Sequence, residues 1–478
     1  MKPDSKMMRI VAPLAALLLT GGHAAGALCE EPGGPRPQAG GIHTLSLSLE
    51  GAAKIAVERS HRLAARREAA GAAREAAQSA DTKRYPQLGL SAQSQVMSKI
   101  GEIIPTAGPP VQIGDHYNWS VGPVLSWTAW DAGAISKGAK SLSRTADSER
   151  FAAEAVKRDA LLEGRMAYFS VQLALEQLSL VADSLNVARM QHADVARRAK
   201  AGSASRLDLV TAHQEVMDRE RDAAKAQAEL AAQVRQLVSV LDMPQARNPT
   251  APAGRDMAAR LTAPLSKPDL LLDLDPIAKS LKAMRPLAAG EASVEKHPAA
   301  QAAKEKKEAA LMSWKAAKAG HWPKVTVQGS STFQYPNFAQ LETVQQNQLT
   351  FGLSVPILDW GMISKEARSK KHMAASAASE LLETRAQLSR NLGEARDRAA
   401  LLEKQRVSAA AAARDATEAA GLVYDAYLAG EVIFLEVQRA NLRALATRVE
   451  AARSDSQLLV QLARLENLIT EPQAEIEQ

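Results

Sequence analysis

The chain has 478 residues, 46% of them hydrophobic and 23% charged, with a net charge of +6 at neutral pH. So small a basic excess, spread along the chain, excludes the positive stripe that a nucleic-acid binder needs. The one cysteine, Cys29, excludes intrachain disulfides and thiolate metal clusters.

Lys2, Lys6 and Arg9 precede the apolar run Ile10–Leu19. With Ala25-Gly26-Ala27 as a cleavage site, residues 1–27 read as a secretory signal, too short to span a bilayer. Leu28 and Gly26 do not form the small-and-aliphatic pattern that precedes an acylated cysteine, so an unmodified Cys29 is the first reading and acylation the alternative. Residues 28–46 are rich in Gly and Pro and read as a flexible leader. No later segment approaches ~20 uninterrupted apolar residues, so no transmembrane helix is expected.

Residues 47–243 form a first structural unit. Ser48 to Arg84 is helical in pattern, with an Ala-rich face, and Tyr85-Pro86 stops it because proline disfavours helix in the preceding residue. Leu88, Leu90, Ala92 and Val96 then alternate with mostly polar neighbours. Trp119, Val121, Leu125 and Trp127 do the same, opposite Asn118, Ser120 and Ser126. These are two strands of about ten residues, joined by a loop containing Pro105, Pro109 and Pro110. Residues 135–200 contain no proline. Tyr168, Val171, Leu175, Leu178, Ala182 and Leu185 follow the ~3.5-residue period of a left-handed coiled coil. At ~1.5 Å per residue this helix reaches about 100 Å, more than a globular domain needs. Gly202 ends it. A return helix, 204–242, covers about half its length, and the helix before the strands is expected to fill the rest.

The same order recurs. Residues 244–297 are a Pro-rich connector, 298–470 a second unit, and 471–478 a polar tail. Trp322-Pro323 stops a helix over 299–320. Val325, Val327, Ser331 and Phe333 alternate, and so do Leu349, Phe351, Leu353 and Val355. Leu388, Leu392, Ala395, Ala399 and Leu402 carry the coiled-coil spacing, Gly430 ends the long helix, and 432–469 returns. Gly133 to Gly361 and Gly202 to Gly430 are the same 228 residues apart. One unit has been duplicated.

Twelve of the 18 aromatic residues fall within 85–130 and 314–360, the strand regions. An export signal, strands of about ten residues and clustered aromatics point to a transmembrane β-barrel. An open sheet edge in lipid leaves backbone groups unsatisfied, at several kcal/mol each. Bacterial barrels begin at about eight strands, so four strands must share a barrel with other chains.

Several segments carry a resemblance to a known family. They are Tyr85-Pro-Gln-Leu88, Gly122-Pro-Val-Leu-Ser-Trp127-Thr-Ala-Trp130-Asp131-Ala-Gly133, Arg197 to Leu209 around Gly202, and Gly352 to Gly361. In duplicated order they resemble the TolC-like outer-membrane efflux and secretion channels, the outer membrane factors. The resemblance implies a mainly α chain with a β-barrel portion, each copy giving a strand pair and a long coiled-coil hairpin. It implies a homotrimeric α/β barrel with four strands per chain. The site would be the outer membrane of a Gram-negative bacterium, with the helical tunnel in the periplasm. Partners would be a periplasmic adaptor protein, an inner-membrane transporter and outer-membrane lipid. The function implied is a passive exit channel for drugs or metals. Type I protein secretion is the alternative of the same class, and a periplasmic coiled-coil scaffold without a barrel is the alternative of another. No catalysis and no cofactor are expected. The sequence has no phosphate loop, nucleophile elbow or paired catalytic carboxylates, and its nine histidines show no metal-ligand spacing.

The resemblance also places candidate residues. Glu436 falls where the family has a constricting carboxylate, and copies around an axis would form a negative ring. The family's second carboxylate is Arg439 here, able to pair with Glu436 or to offset its field. Asp208 matches Glu436 in the first copy; it would hold the closed tip, or serve as a plain acid favoured by the helix dipole. The family's basic tip partner aligns with Val432. Gly202, Ser203, Gly430 and Glu431 mark the tips where the adaptor would dock. Trp119, Trp127, Trp322 and Phe351 are candidate membrane-interface aromatics, with Trp130 and Trp360 at the barrel–helix junction. His61 and His297 occupy similar repeat positions and read as cap or turn residues. Asp269 to Asp275 resembles a cation site only superficially.

Overall fold

The structure, a computed structural model, describes residues 45–103, 111–243, 272–288, 293–338 and 340–469. The expected signal, most of the leader, Cys29, the three loop prolines, much of the connector and the polar tail lie outside these residues. In the first copy, β1 (Leu45–Leu47) leads into α1 (Leu49–Glu58) and α2 (His61–Thr82). Four strands follow: β2 (Gln87–Val96), β3 (Gly101–Ile103), β4 (Val111–Ile113) and β5 (Tyr117–Trp130). Then come α3 (Ala134–Lys200) and α4 (Arg206–Val240). β6 (Leu272–Leu274) and α5 (Ile277–Leu287) belong to the connector. The second copy is α6 (Pro298–Ala319), β7 (Lys324–Tyr335), β8 (Val344–Ser354), α7 (Met362–Ala429) and α8 (Phe434–Leu468).

The single helix expected before the strands is two helices. Ser60 is extended, and its hydroxyl accepts from the Leu63 amide at 3.2 Å, starting α2 afresh. His61 is then the first residue of α2, and its Nε2 lies 3.1 Å from Asp242. In the second copy His297 itself caps α6, its Nδ1 accepting from the Ala299 amide at 3.2 Å. Burial holds the His297 imidazole below the usual histidine range. The end of the leader is also ordered: β1 pairs in parallel with β6, so part of the connector joins the first copy.

The long helices carry the fold. α3 has 67 residues and α7 has 68. Near the barrel, α3 packs on α2 and α6, and α6 reaches across to α7. Small residues allow that closeness: Ser141 and Ser148 hydroxyls donate to the Ala309 and Ala302 carbonyls at 2.7 and 2.8 Å. Towards the tips, α3 packs on α4 and α7 on α8, with Leu180, Val181, Leu185, Val216 and Leu445 between them. The seam of α3 is wider than a two-helix stripe, because Phe169, Ala174 and Ala188 are buried beside Tyr168, Val171 and Leu185.

Midway, the largest core gathers around Tyr168 and Phe169 of α3, with Leu47, Leu237, Met284, Leu458 and Leu459. The Tyr168 hydroxyl donates to the Leu47 carbonyl at 3.1 Å and accepts from the Asp275 amide at 3.0 Å. It therefore fastens both β1 and β6 to α3, and its burial costs no unpaired polar group. Gly164 lets α1 approach; a Cβ there would stand 2.6 Å from that of Ala56.

Candidate functional site

The four long strands form one antiparallel sheet in the order β2-β5-β7-β8. Side chains alternate across it, so the register decides which residues share a face. Leu88 pairs with Leu125, Leu125 with Gly329, and Gly329 with Leu349. The same face carries Leu90, Trp119, Val121, Trp127, Val325, Val327, Phe333, Phe351 and Leu353, interrupted by Ser94, Ser331, Gln345 and Asn347. The other face carries Gln87, Ser91, Gln93, Asn118, Ser120, Thr326, Gln328, Ser330, Thr332, Gln346 and Thr350. The apolar face is bare: Leu88, Leu90, Leu349, Phe351 and Leu353 are 62–78% exposed. Both edges, β2 and β8, lack a partner strand among the described residues.

Four aromatics were expected at membrane interfaces. Trp127 and Phe351 fall on one rung, joined through Val327, at the helix end of the sheet. Trp322 lies just before β7 at that end and is exposed. Trp119 pairs with Tyr335 near the other end. Trp119 and Trp127 are about 27 Å apart along β5 at ~3.4 Å per residue, or about 20 Å of depth at a tilt near 40°. That is close to the ~25 Å apolar band of a membrane barrel. No described helix is long and apolar enough to cross a membrane.

The sheet passes to the long helices through two matching turns. Gly133 and Gly361 both have φ +79°, and the residues before them, Ala132 and Trp360, have φ +54° and +52°. A β-carbon strains this left-handed conformation, so glycine is the fitting residue in each pair. The carboxylates of Asp131 and Asp359 hold the turns. Asp359 accepts from Gly361 and Ile363 amides, both at 2.9 Å; Asp131 accepts from Gly133 and Ile135 at 2.9 and 2.6 Å. The Ile363 and Gly361 amides keep the Asp359 carboxyl below the usual aspartate range. A depressed folded pKa gives stability that is present above the unfolded value and lost as pH falls through the folded one. Asp359→Asn is therefore expected to lower the thermal midpoint at neutral pH. The gap from the parent should close on acidification below the carboxylate range. A gap unchanged at low pH would assign the effect to shape instead of charge.

The two tips have unlike chemistry. At the first, Gly202 has φ +79° and Ser203 donates its hydroxyl to the Arg198 carbonyl at 3.1 Å. Ser205 caps α4 in a capping box: its hydroxyl accepts from the Asp208 amide, while Asp208 accepts from the Ser205 amide and hydroxyl. Asp208 thus serves its own helix start, and after burial its charge helps raise the Tyr427 phenol of α7 across the tip. At the second tip, Gly430 has φ +83°, and the cap position of α8 is Ile433, which offers no side-chain bond. Glu436 is ion-paired with Arg439 at 2.8 Å, both partly exposed. Glu431 is exposed, and Val432 packs against a small core of Val195, Ala212, Tyr427, Phe434 and Val437.

The tips are tied by residues that spacing along the chain did not single out. The Tyr424 hydroxyl of α7 donates to Asp194 of α3 at 3.1 Å. Arg197 donates to the same carboxylate at 3.0 Å, and Arg198 donates to the Leu428 carbonyl at 3.2 Å. Arg197 holds the Asp194 carboxyl below its usual range, while burial and Asp194 push the Tyr424 phenol up to about 12. Deeper in, Gln438 of α8 donates to buried Glu215 at 2.8 Å, and Asn441 to buried Gln191 at 2.8 Å. Arg219 lies 3.0 Å from Glu215 and 3.1 Å from Asp222. These polar contacts fix the register of one hairpin against the other, because a slip would break the cross-hairpin hydrogen bonds of buried Glu215 and Gln191.

The sheet has one largely apolar, exposed face and two edges without a partner strand among the described residues, and helices of ~100 Å continue it. A sequence profile of the family described as "Outer membrane efflux protein" matches residues 52–242 and 291–471. The chain belongs to that family, whose members are channels and not enzymes. Its fold is that of solved outer-membrane channels. CusC matches with a TM-score of 0.69 at 17% identity, over 90% of this chain and 94% of its own. VceC of Vibrio cholerae matches with a TM-score of 0.67 at 17% identity, over 88% and 95%. The open state of MtrE from Neisseria gonorrhoeae matches with a TM-score of 0.68 at 16% identity, over 88% of each chain. The search of curated proteins by sequence gave no match.

Proposed function

We propose that three copies close one barrel in the outer membrane and one helical tunnel in the periplasm, forming a passive exit duct for small molecules, drugs or metals. In this reading β2 of each chain meets β8 of the next, and lipid covers the apolar face. The tips around Gly202, Ser203, Gly430 and Glu431 dock on a periplasmic adaptor that couples the duct to an inner-membrane transporter. The observation that carries this is the sheet: its face segregation and open edges have no use in a soluble scaffold, and lipid and a neighbouring chain satisfy both. The test is the protein in its own membrane. It should fractionate with the outer membrane, run as a trimer that heating dissociates, and conduct ions in a planar bilayer. A monomer recovered with the periplasm would refute it.

Glu436 and Asp208 differ in this duct. Asp208 is held by its capping box, whereas Glu436 is held by an ion pair to the exposed Arg439. Glu436→Ala leaves Arg439 unpaired in each chain and turns a neutral ring into a positive one. Cation preference in single-channel recordings should fall; identical conductance and selectivity would remove Glu436 from the constriction.

A further inference from the structure

Two histidines that lie far apart in sequence meet at the first hairpin. His192 on α3 and His213 on α4 stand almost equally far from Gly202, so the antiparallel return sets them opposite one another. Their ring centroids are 5.5 Å apart, tilted by 47°. His213 is exposed and His192 half-buried. Neither imidazole has a hydrogen-bond partner among the described residues, so their ring nitrogens are uncommitted. The Arg189–Glu220 ion pair, at 2.7 Å, joins the same two helices nearby and steadies the spacing.

That spacing suits a shared ion. A metal bound ~2.0–2.1 Å from one nitrogen of each ring sits about 3.2 Å from each centroid, which puts the centroids about 5.3 Å apart at a tetrahedral angle. We propose that His192 and His213 bind one borderline divalent cation of the Zn2+ type, clamping α3 to α4 about 15 Å above Gly202. No group of three His, Cys, Asp or Glu residues able to hold a metal occurs among the described residues. Water therefore fills the remaining positions, and the ion exchanges readily. The second copy has no such pair: the matching positions are Ala420, which is buried, and Asn441, which is engaged with Gln191. The clamp stiffens one hairpin of each chain and leaves the other free.

Calorimetric titration of Zn2+ into the full-length protein in detergent should reveal one site per chain. His192→Ala and His213→Ala should each weaken it about tenfold or more, since loss of a direct ligand costs at least as much as loss of an outer-shell partner. His61→Ala, at the far end of the hairpin, should leave it intact. Zn2+ should also slow tryptic cleavage at Arg197, Arg198 and Lys200 in the parent and in His61→Ala, but not in the other two variants. Equal Zn2+ affinity in the parent and in either tip-histidine variant would overturn the proposal, as would a parent that does not bind Zn2+.

Discussion

Leu90→Arg is expected to abolish outer-membrane assembly, while Ser91→Arg, one residue on, should be tolerated. Leu90 lies on the bare apolar face, opposite Pro123, which is halfway between Trp119 and Trp127 on β5. An arginine at mid-bilayer on the lipid face of a barrel costs about 2–4 kcal/mol, and closure repeats that cost in every chain. Ser91 pairs with Gly122 and projects to the polar face, where a charge stays in water. Fractionation and heat-dependent gel migration of the two variants check this. Equal loss in both would mean that the faces are not lipid and lumen; equal tolerance would mean that the sheet does not enter lipid.

Phe434→Ala should open the second tip and leave the barrel in place. Phe434 is 1% exposed, and its ring meets that of Tyr427 edge-on at 5.3 Å. Truncating a buried phenylalanine costs about 3–5 kcal/mol. Here the loss falls on a small satellite core whose other members are Val195, Ala212, Tyr427 and Val437. α8 has no side-chain cap at Ile433 to hold its start once that core is gone. Amide exchange over 424–440 should accelerate, and single-channel conductance should rise. The central core and the sheet lie tens of ångströms away along α7, so trimers should persist. Unchanged exchange and conductance would show that Phe434 does not hold the tip closed.

Much of this architecture was legible because periodic features repeat. The alternation of Leu88, Leu90 and Ala92 fixed both a strand and its apolar face, and Gly202 and Gly430 announced turns that need a positive φ. The break at Ser60 was hidden, since an alanine-rich run either side of a cap looks like one helix. β1 and β6 were also hidden: three-residue strands carry too little alternation, and their pairing depends on Tyr168 from a distant helix. The tip chemistry was legible only in part. Glu436 and Asp208 could be placed, and the Ser205-x-x-Asp208 spacing is itself the pattern of the capping box that holds Asp208. The Tyr424–Asp194 bond and the His192–His213 approach join residues that only the hairpin geometry makes neighbours.

The even number of strands in each chain bears on counting. β2 and β8, the two edges, run antiparallel to each other, since every pairing between them is antiparallel. A neighbour's β2 can therefore lie against β8 with the hydrogen-bond pattern unbroken, whatever the number of chains in the ring. The direction of the strands therefore sets no stoichiometry. In the proposed ring, the angle at which α6 wedges between α3 and α7 helps set how far each chain turns from the next. There Ser141, Ser148 and Ala309 set how closely the axes approach. In the proposed duct, small side chains at this helix junction would help set the bore, far from anything that passes through it.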